Sequence, residues 1–317
     1  MSQASNSELI SLFFDNEDKN FRNGLALLQG ECNNVIPILV NGLHSVSEHK
    51  NDIEANINAY FQSNSSITPA ITDFKRIALQ WPIAFDHTSG ITLEQLNKLT
   101  EFFTNPTNLG KIGSIVFDFD RTFTMVEGLP RLQPIKSIIT ALAYSPPISP
   151  KEFVACHMGG DARMIAMAEF INYMTKNNKK IFFLTNNTAP LRVPLLIPEV
   201  LTLAGITDQT NITILSAHSH NDQYGYTGTP PKYTIIDKVL NMCDNTIDNT
   251  ELHTFANALE TKCNLQIYRE WKLQTAIAAA TSGLARTTLT TTPTTGGYNK
   301  YSAKRKSSRK TKKNYKH

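Results

Sequence analysis

Residues Lys111 to Thr124 read K-I-G-S-I-V-F-D-F-D-R-T-F-T. Ile112 to Phe117 is an apolar, β-branched run of the kind that builds a strand buried on both faces, and it stops at Asp118. Asp120 follows two residues later, then Thr122 and Thr124. In an open parallel sheet, ligands collect outside the carboxyl ends of the strands. A strand that ends Asp-x-Asp-x-Thr therefore carries two carboxylates to the place where chemistry is done. One can attack as a nucleophile while the other shuttles a proton. Asp and Thr are also common in polar turns with no chemical role; the complete apolar run ahead of the acids favours the chemical reading.

Working outward, Lys179 to Asn187, K-K-I-F-F-L-T-N-N, repeats the pattern: an apolar run, then Thr185 and Asn186 at a strand end. A hydroxyl and neighbouring N–H groups suit a phosphoryl oxygen, because they donate to it without adding a charge that competes for a metal. Pro231-Lys232 opens a predicted helix, P-K-Y-T-I-I-D-K-V-L, with proline near its first turn. Lys232 stands at that helix start, whereas Lys238 lies inside the helix and reads as a solvated face residue.

These segments, V-F-D-F-D-R-T-F-T, L-T-N-N and the lysine at a helix start, resemble the first three signatures of the haloacid dehalogenase (HAD) superfamily of aspartate-nucleophile phosphohydrolases. The resemblance covers residues 111 to 243. It implies a doubly wound, Rossmann-like α/β core around a parallel sheet, Mg²⁺ as cofactor, an aspartyl-phosphate intermediate and a phosphorylated substrate. It also implies roles: Asp118 as nucleophile, Asp120 as acid and base, and Thr185, Asn186 and Lys232 as phosphate holders. Thr122 would brace the loop, and Asp118 and Asp120 would bind the metal. The family's fourth motif is another buried strand ending in acids that complete the metal site. Between Leu240 and Trp271 no such strand is evident; Asp244 and Asp248 are the nearest acids and so the candidates for the remaining metal ligands, and Cys263 to Tyr268 is a candidate strand that leads only into Arg269-Glu270. The missing motif keeps a rival reading open, a catalytically weak HAD-like binding or scaffold protein.

The chain divides into three parts. Residues 1 to 109 carry helical patterns at Phe21 to Gln29, Val35 to Val46, Ile53 to Phe61, Ile71 to Leu79 and Leu93 to Phe103, with Trp81 and Phe85 as core anchors. Thr92 with Gln95 reads as an N-cap and its capping-box partner. Residues 110 to 286 form the α/β core. After the acidic loop, Met125 to Gly160 is short, with one helical candidate at Ile135 to Ala143, so a small cap or none is expected over an open site. Asp161 is expected to cap a helix containing Met164 to Met174. Val193 to Ala204 reads as a helix, Ile212 to Ala217 as a strand, and Glu270 to Arg286 as a closing helix. His218 and His220 are spaced as a metal pair but read as an exposed polar loop.

Residues 287 to 317 are a Thr/Pro/Gly linker and a basic tail. The tail holds nine cations and no acid from Lys300 to Lys316, so with a net charge of +4 the rest of the chain is mildly acidic. It reads either as a solubilising terminus or as a nucleic-acid contact or nuclear address. Its G-G-Y lead and Lys/Arg/Ser/Thr content resemble termini of large cytoplasmic DNA virus proteins. An open site beside such a tail favours a large phosphorylated substrate. With 317 residues, 41% of them hydrophobic, the chain suits a globular core. No apolar run is long enough to span a membrane, and M-S-Q-A-S-N-S-E is no secretory signal. Cys32, Cys156, Cys243 and Cys263 are scattered and read as reduced thiols of an intracellular protein, placed in the cytoplasm, the nucleus, a viral factory or a virion.

Overall fold

In a computed structural model, the apolar run Ile112–Phe117 is a strand at the centre of a six-stranded sheet. The structure describes residues 9–21, 32, 34–40, 90–125, 135, 149–186, 193–217, 232–243 and 247–288. The strands are β1 (Ile10–Asp15), β2 (Val35–Leu39), β3 (Ile112–Phe117), β4 (Lys180–Thr185), β5 (Ile212–Ser216) and β6 (Gln266–Ile267). They lie in the order β5-β4-β3-β1-β2-β6, parallel throughout except for β6, which pairs antiparallel with β2. The helices are α1 (Leu93–Thr104), α2 (Pro106–Lys111), α3 (Pro150–His157), α4 (Asp161–Lys176), α5 (Val193–Ala204), α6 (Lys232–Lys238), α7 (Asn249–Cys263) and α8 (Arg269–Thr288). The fold is α/β, a mostly parallel sheet flanked by helices, compatible with a Rossmann-like arrangement.

Two strands of this sheet lie within the first 109 residues, where a helical region is expected. Val35 to Val46, read as a helix, is a strand over Val35–Leu39. Its V-I-P-I-L run is rich in β-branched residues and contains Pro37, which would remove a hydrogen bond from a helix interior. The sheet accommodates this proline toward its edge. The Pro37 carbonyl accepts a hydrogen bond from Tyr268 N at 2.9 Å on the β6 side, and its missing N–H falls on that same side, away from the β1 ladder. Of the other N-terminal expectations, α1 and its capping box at Thr92 and Gln95 are present. Ile53 to Phe61, Ile71 to Leu79, Trp81 and Phe85 lie outside the described residues, as does Phe21 to Gln29 beyond Phe21 itself.

The parallel order has a consequence for the chain path. An open doubly wound sheet runs 3-2-1-4-5 from one edge, and β5-β4-β3-β1-β2 is that order with positions 4 and 5 filled by the beginning of the chain. The direction of the path reverses between β3 and β1, so the ligand crevice of such a sheet falls at the carboxyl ends of these two strands. Below the crevice, Phe14, Phe117 and Phe183 stack across three strands, with ring centroids 5.3 and 5.8 Å apart. Each such pair contributes about 0.5–1.5 kcal/mol beyond its area burial. The opposite face carries Phe13, which meets Tyr233 of α6 edge-on at 6.2 Å.

Two smaller expectations change. Gly160, with φ 98°, is the N-cap of α4 and makes no side-chain cap bond, so Asp161 is the first residue of the helix rather than its cap. Cys32 and Cys243 are not reduced thiols but a disulfide across 211 residues. Such a spacing carries no sequence signal; the sheet alone brings the lead into β2 beside the segment after α6. Cys263 is free and buried.

Candidate functional site

Asp15 ends β1 and Asp118 ends β3, and the two strands are neighbours in register, with Phe14 opposite Phe117. Asp118 N donates to Phe14 O at 2.9 Å, so the ladder continues into the acids themselves. Both side chains are buried, and both project on the face covered by α6. The first residue of that helix, Lys232, is 2% exposed and places Nζ between them, 2.8 Å from Asp15 Oδ2 and 2.6 Å from Asp118 Oδ1. A lysine this deeply buried is tolerated because two carboxylates compensate its lost hydration.

The residues after β3 turn back sharply. Phe123 N donates to Asp118 O at 3.2 Å and Thr124 N to Phe119 O at 3.0 Å, which closes a wide turn over Phe119–Phe123. Inside it Arg121 adopts φ 60°, a left-handed conformation uncommon for a residue with a Cβ. Two contacts hold the turn. Phe123 packs edge-on against Phe183 of β4, with centroids 4.9 Å apart. Arg163 of α4, 1% exposed, donates from Nη1 to Phe123 O (3.0 Å) and Met158 O (2.7 Å), from Nη2 to Thr122 O (3.2 Å), and from Nε to Ile91 O (2.7 Å). Its guanidinium thus clamps the turn that carries Asp120 to α3 and to the lead into α1. A Cβ at Gly90, φ +64°, would come within 3.0 Å of Thr122 O and 3.1 Å of Arg163 Nη2, so only glycine leaves room for this clamp.

The electrostatics separate the two aspartates. Burial raises the Asp118 carboxyl well above the usual range; Lys232 pulls it down, while the Asp15 and Asp120 carboxylates push it further up. Burial alone would lower Lys232, but Asp118 and Asp15 outweigh it and hold the ammonium charged. Asp15 is saturated with donors: Glu17 N at 2.8 Å and Asn20 Nδ2 at 3.0 Å to Oδ1, then Asn20 Nδ2 at 2.9 Å and Lys232 to Oδ2. Asp118 accepts from Phe119 N at 2.8 Å and from Lys232, both on Oδ1.

The sequence-predicted residues fall into three groups. Asp118, Asp120 and Lys232 come together, and Thr185 ends the adjacent strand β4, where it pairs with Ser216 in register. Asn186 follows; its Oδ1 is buried with no hydrogen-bond partner, as is Thr122 Oγ1, so Thr122 braces the turn through its carbonyl rather than its hydroxyl. Asp248 is elsewhere. It is the N-cap of α7, accepting from Thr250 N at 2.8 Å and Glu251 N at 3.2 Å, and its proposed metal role gives way to that of a helix cap. Asp244, His218 and His220 lie outside the described residues.

Asp15 is the residue that the sequence reading missed. I-S-L-F-F-D has the same form as the run before Asp118, an apolar strand ending in an acid, followed by N-E-D-K-N. The signal was present, but upstream of the first motif rather than downstream. Among the described residues no three His, Cys, Asp or Glu side chains form a ready metal cage. The donor chemistry nonetheless fits Mg²⁺, which binds through one or two carboxylates and completes its shell with water and substrate phosphate. Asp118 faces the Lys232 ammonium on one oxygen only and feels the Asp120 carboxylate beside it, and the orphaned Asn186 Oδ1 lies at the end of the next strand. No protein-family model, curated protein or solved structure matches this chain.

Proposed function

We propose that this chain is a phosphohydrolase that works through an aspartyl-phosphate at Asp118. The observation that carries the reading is the buried row Asp15–Lys232–Asp118 at the path reversal of the sheet, with Asp120 two residues beyond on a clamped turn. An oxygen of Asp118 attacks phosphorus in line, and the P–O bond to the leaving group breaks as Asp120 gives that oxygen its proton. Asp120, now a carboxylate, takes a proton from water; the water oxygen attacks phosphorus, and the bond to Asp118 breaks to release phosphate. Lys232, Thr185 and Asn186 hold the phosphoryl oxygens during both steps.

Mg²⁺ would be held by Asp118 and the Asp120 carbonyl with water completing its shell, and when bound it would supply positive charge to the phosphoryl oxygens; Asp15, its oxygens filled by Glu17, Asn20 and Lys232, anchors the lysine beside it. In this reading β1 takes the part of the fourth HAD-like motif, a buried strand ending in an acid, placed ahead of the first motif instead of after the third. An acid beside Asp118 is what supports the catalytic reading over that of a catalytically weak binding or scaffold protein. The basic residues of 300–317, which lie outside the described residues, make phosphorylated polymers the first large substrates to try. The direct test is Mg²⁺-dependent hydrolysis of an aryl phosphate. The parent protein turns it over, and Asp118→Asn reduces the rate by about 10⁴-fold or more; an unchanged rate in the variant would overturn the assignment.

A further inference from the structure

The same face of the sheet carries a second polar feature at its opposite end. Along β1 and β3, Ser11 and Asp15, then Ser114 and Asp118, project on the side of α6. Four residues of strand, roughly 13 Å at about 3.3 Å per residue, separate the acids from Ser11 and Ser114, whose hydroxyls share a buried hydrogen bond of 2.7 Å. Lys180 pairs with Ser114 in register, and Lys179 precedes it. Here a cleft of about 390 Å³ opens between the starts of β1, β3 and β4 and the segment Leu240–Cys243 that follows α6.

We infer that this basal cleft binds a phosphomonoester with a planar or apolar body, at a site separate from the acids. Charge supports the class. Neither the Lys179 nor the Lys180 ammonium has a carboxylate partner among the described residues, and together they match the two charges of a phosphate dianion. Partial burial of Lys179 lowers its pKa with no acid nearby to offset it, so an anion in the cleft would relieve that cost. The walls supply the rest: Phe182, Leu240 and Met242 are apolar, and the Ser11–Ser114 hydroxyls line the floor. The volume lies in the range of small-molecule sites.

The cleft is also built in advance. Asn34 Nδ2 donates to Met242 O at 2.6 Å and Leu9 O at 3.3 Å, which ties the two walls together. The Cys32–Cys243 disulfide fastens the same wall a second time. A Cβ on Gly113 would approach Leu9 Cβ to 2.8 Å, so glycine is what lets the lead into β1 close that side. A pre-formed wall lowers the ordering cost of binding.

The test is calorimetric titration of the full-length Asp118→Asn protein with adenosine 5′-monophosphate and with phenyl phosphate, alone and with Lys179→Ala/Lys180→Ala added. At least one of the two probes is expected to show a saturable event that weakens tenfold or more in the triple variant and with rising salt. Adenosine without its phosphate is expected not to produce that event. In a measurement that needs no substitution, the same probe protects Lys179 from amine acetylation read by mass spectrometry. No saturable binding of either probe, or binding that ignores the loss of both lysines, overturns the inference. Lys179→Ala/Lys180→Ala on the parent chain leaves aryl phosphate hydrolysis unchanged, so failure of this site and failure of the phosphohydrolase reading are distinguishable.

Discussion

The ends of β1 and β3 look alike in sequence and differ in what the fold makes of them. Both are apolar strands that stop at an aspartate, they lie side by side, and one lysine bridges them. Asp15 is locked by the Glu17 amide, the Asn20 carboxamide and Lys232. Asp118 accepts fewer bonds, stands at the mouth of a strained turn and has its carboxyl raised by burial and by two like charges. A carboxylate saturated with donors is an anchor, while one that is crowded and desolvated has energy to lose by reacting or by gaining a cation. The two aspartates thus divide the labour of the site.

Lys232→Met has the largest expected effect, because it removes the group that both strand ends share. It leaves two buried carboxylates facing each other, and we expect a stability loss of about 3–5 kcal/mol in urea denaturation, with hydrolysis down by about 10³-fold. Retention of full stability would show that the buried ion row is not as drawn.

The next effect is one of opposite signs. Asp15→Asn strips Lys232 of one partner and disturbs Asn20, so stability falls by about 2–3 kcal/mol. Asp118→Asn relieves crowding and raises stability by about 1 kcal/mol. The sign follows from linkage: a carboxyl whose pKa is raised on folding contributes its stability below its unfolded pKa and loses it as pH rises through the folded value. The charged form at neutral pH is therefore the costly one. Thermal melts of the two variants at neutral pH should move in opposite directions.

Arg163 acts on one of the two strand ends only. Two of its four carbonyl contacts, to Thr122 and Phe123, hold the turn after β3, the others reach Met158 and Ile91, and none reaches Asp15. Arg163→Lys, which keeps the charge but not the fork, should lower kcat about tenfold with KM little changed, and Arg163→Met should lower it further. Equal losses in KM and kcat would point to general loosening instead.

The smallest effect is on pH dependence. In the proposed mechanism attack needs ionised Asp118, so the acid limb of the rate profile is expected above the ordinary carboxylate range. Asp15→Asn removes a neighbouring negative charge and should shift the limb of its residual activity downward; added Mg²⁺ should shift the parent's limb the same way. A limb that stays fixed in both cases would assign it to another group.

How much of this was legible varies with the kind of signal. Asp118, Asp120, Thr185 and Lys232 were readable because each sits at a change of pattern, where an apolar run ends or a helix begins. Asp15 sits at an identical change, but the helical periodicity of residues 1–109 masks it, and the resemblance points downstream for a further acid. Val35–Leu39 shows why: five apolar residues fit either period, and only pairing with β1 and β6 decides for the strand. The disulfide and the Arg163 clamp had no local signature at all. Their partners are main-chain carbonyls and a cysteine 211 residues away, groups that a linear pattern does not distinguish.

The α/β character, the strand that carries Asp118 and Asp120, and the chemical types available at its end are legible along the chain, because side-chain periodicity and abrupt polarity changes are local properties. Only the three-dimensional arrangement shows which acid stands beside Asp118, that a buried lysine joins the pair, and that two lysines with no carboxylate partner among the described residues line a cleft at the far end of the sheet. Those are matters of strand order, and in a parallel sheet the order is set by long crossovers whose packing brings together residues that no window of sequence contains.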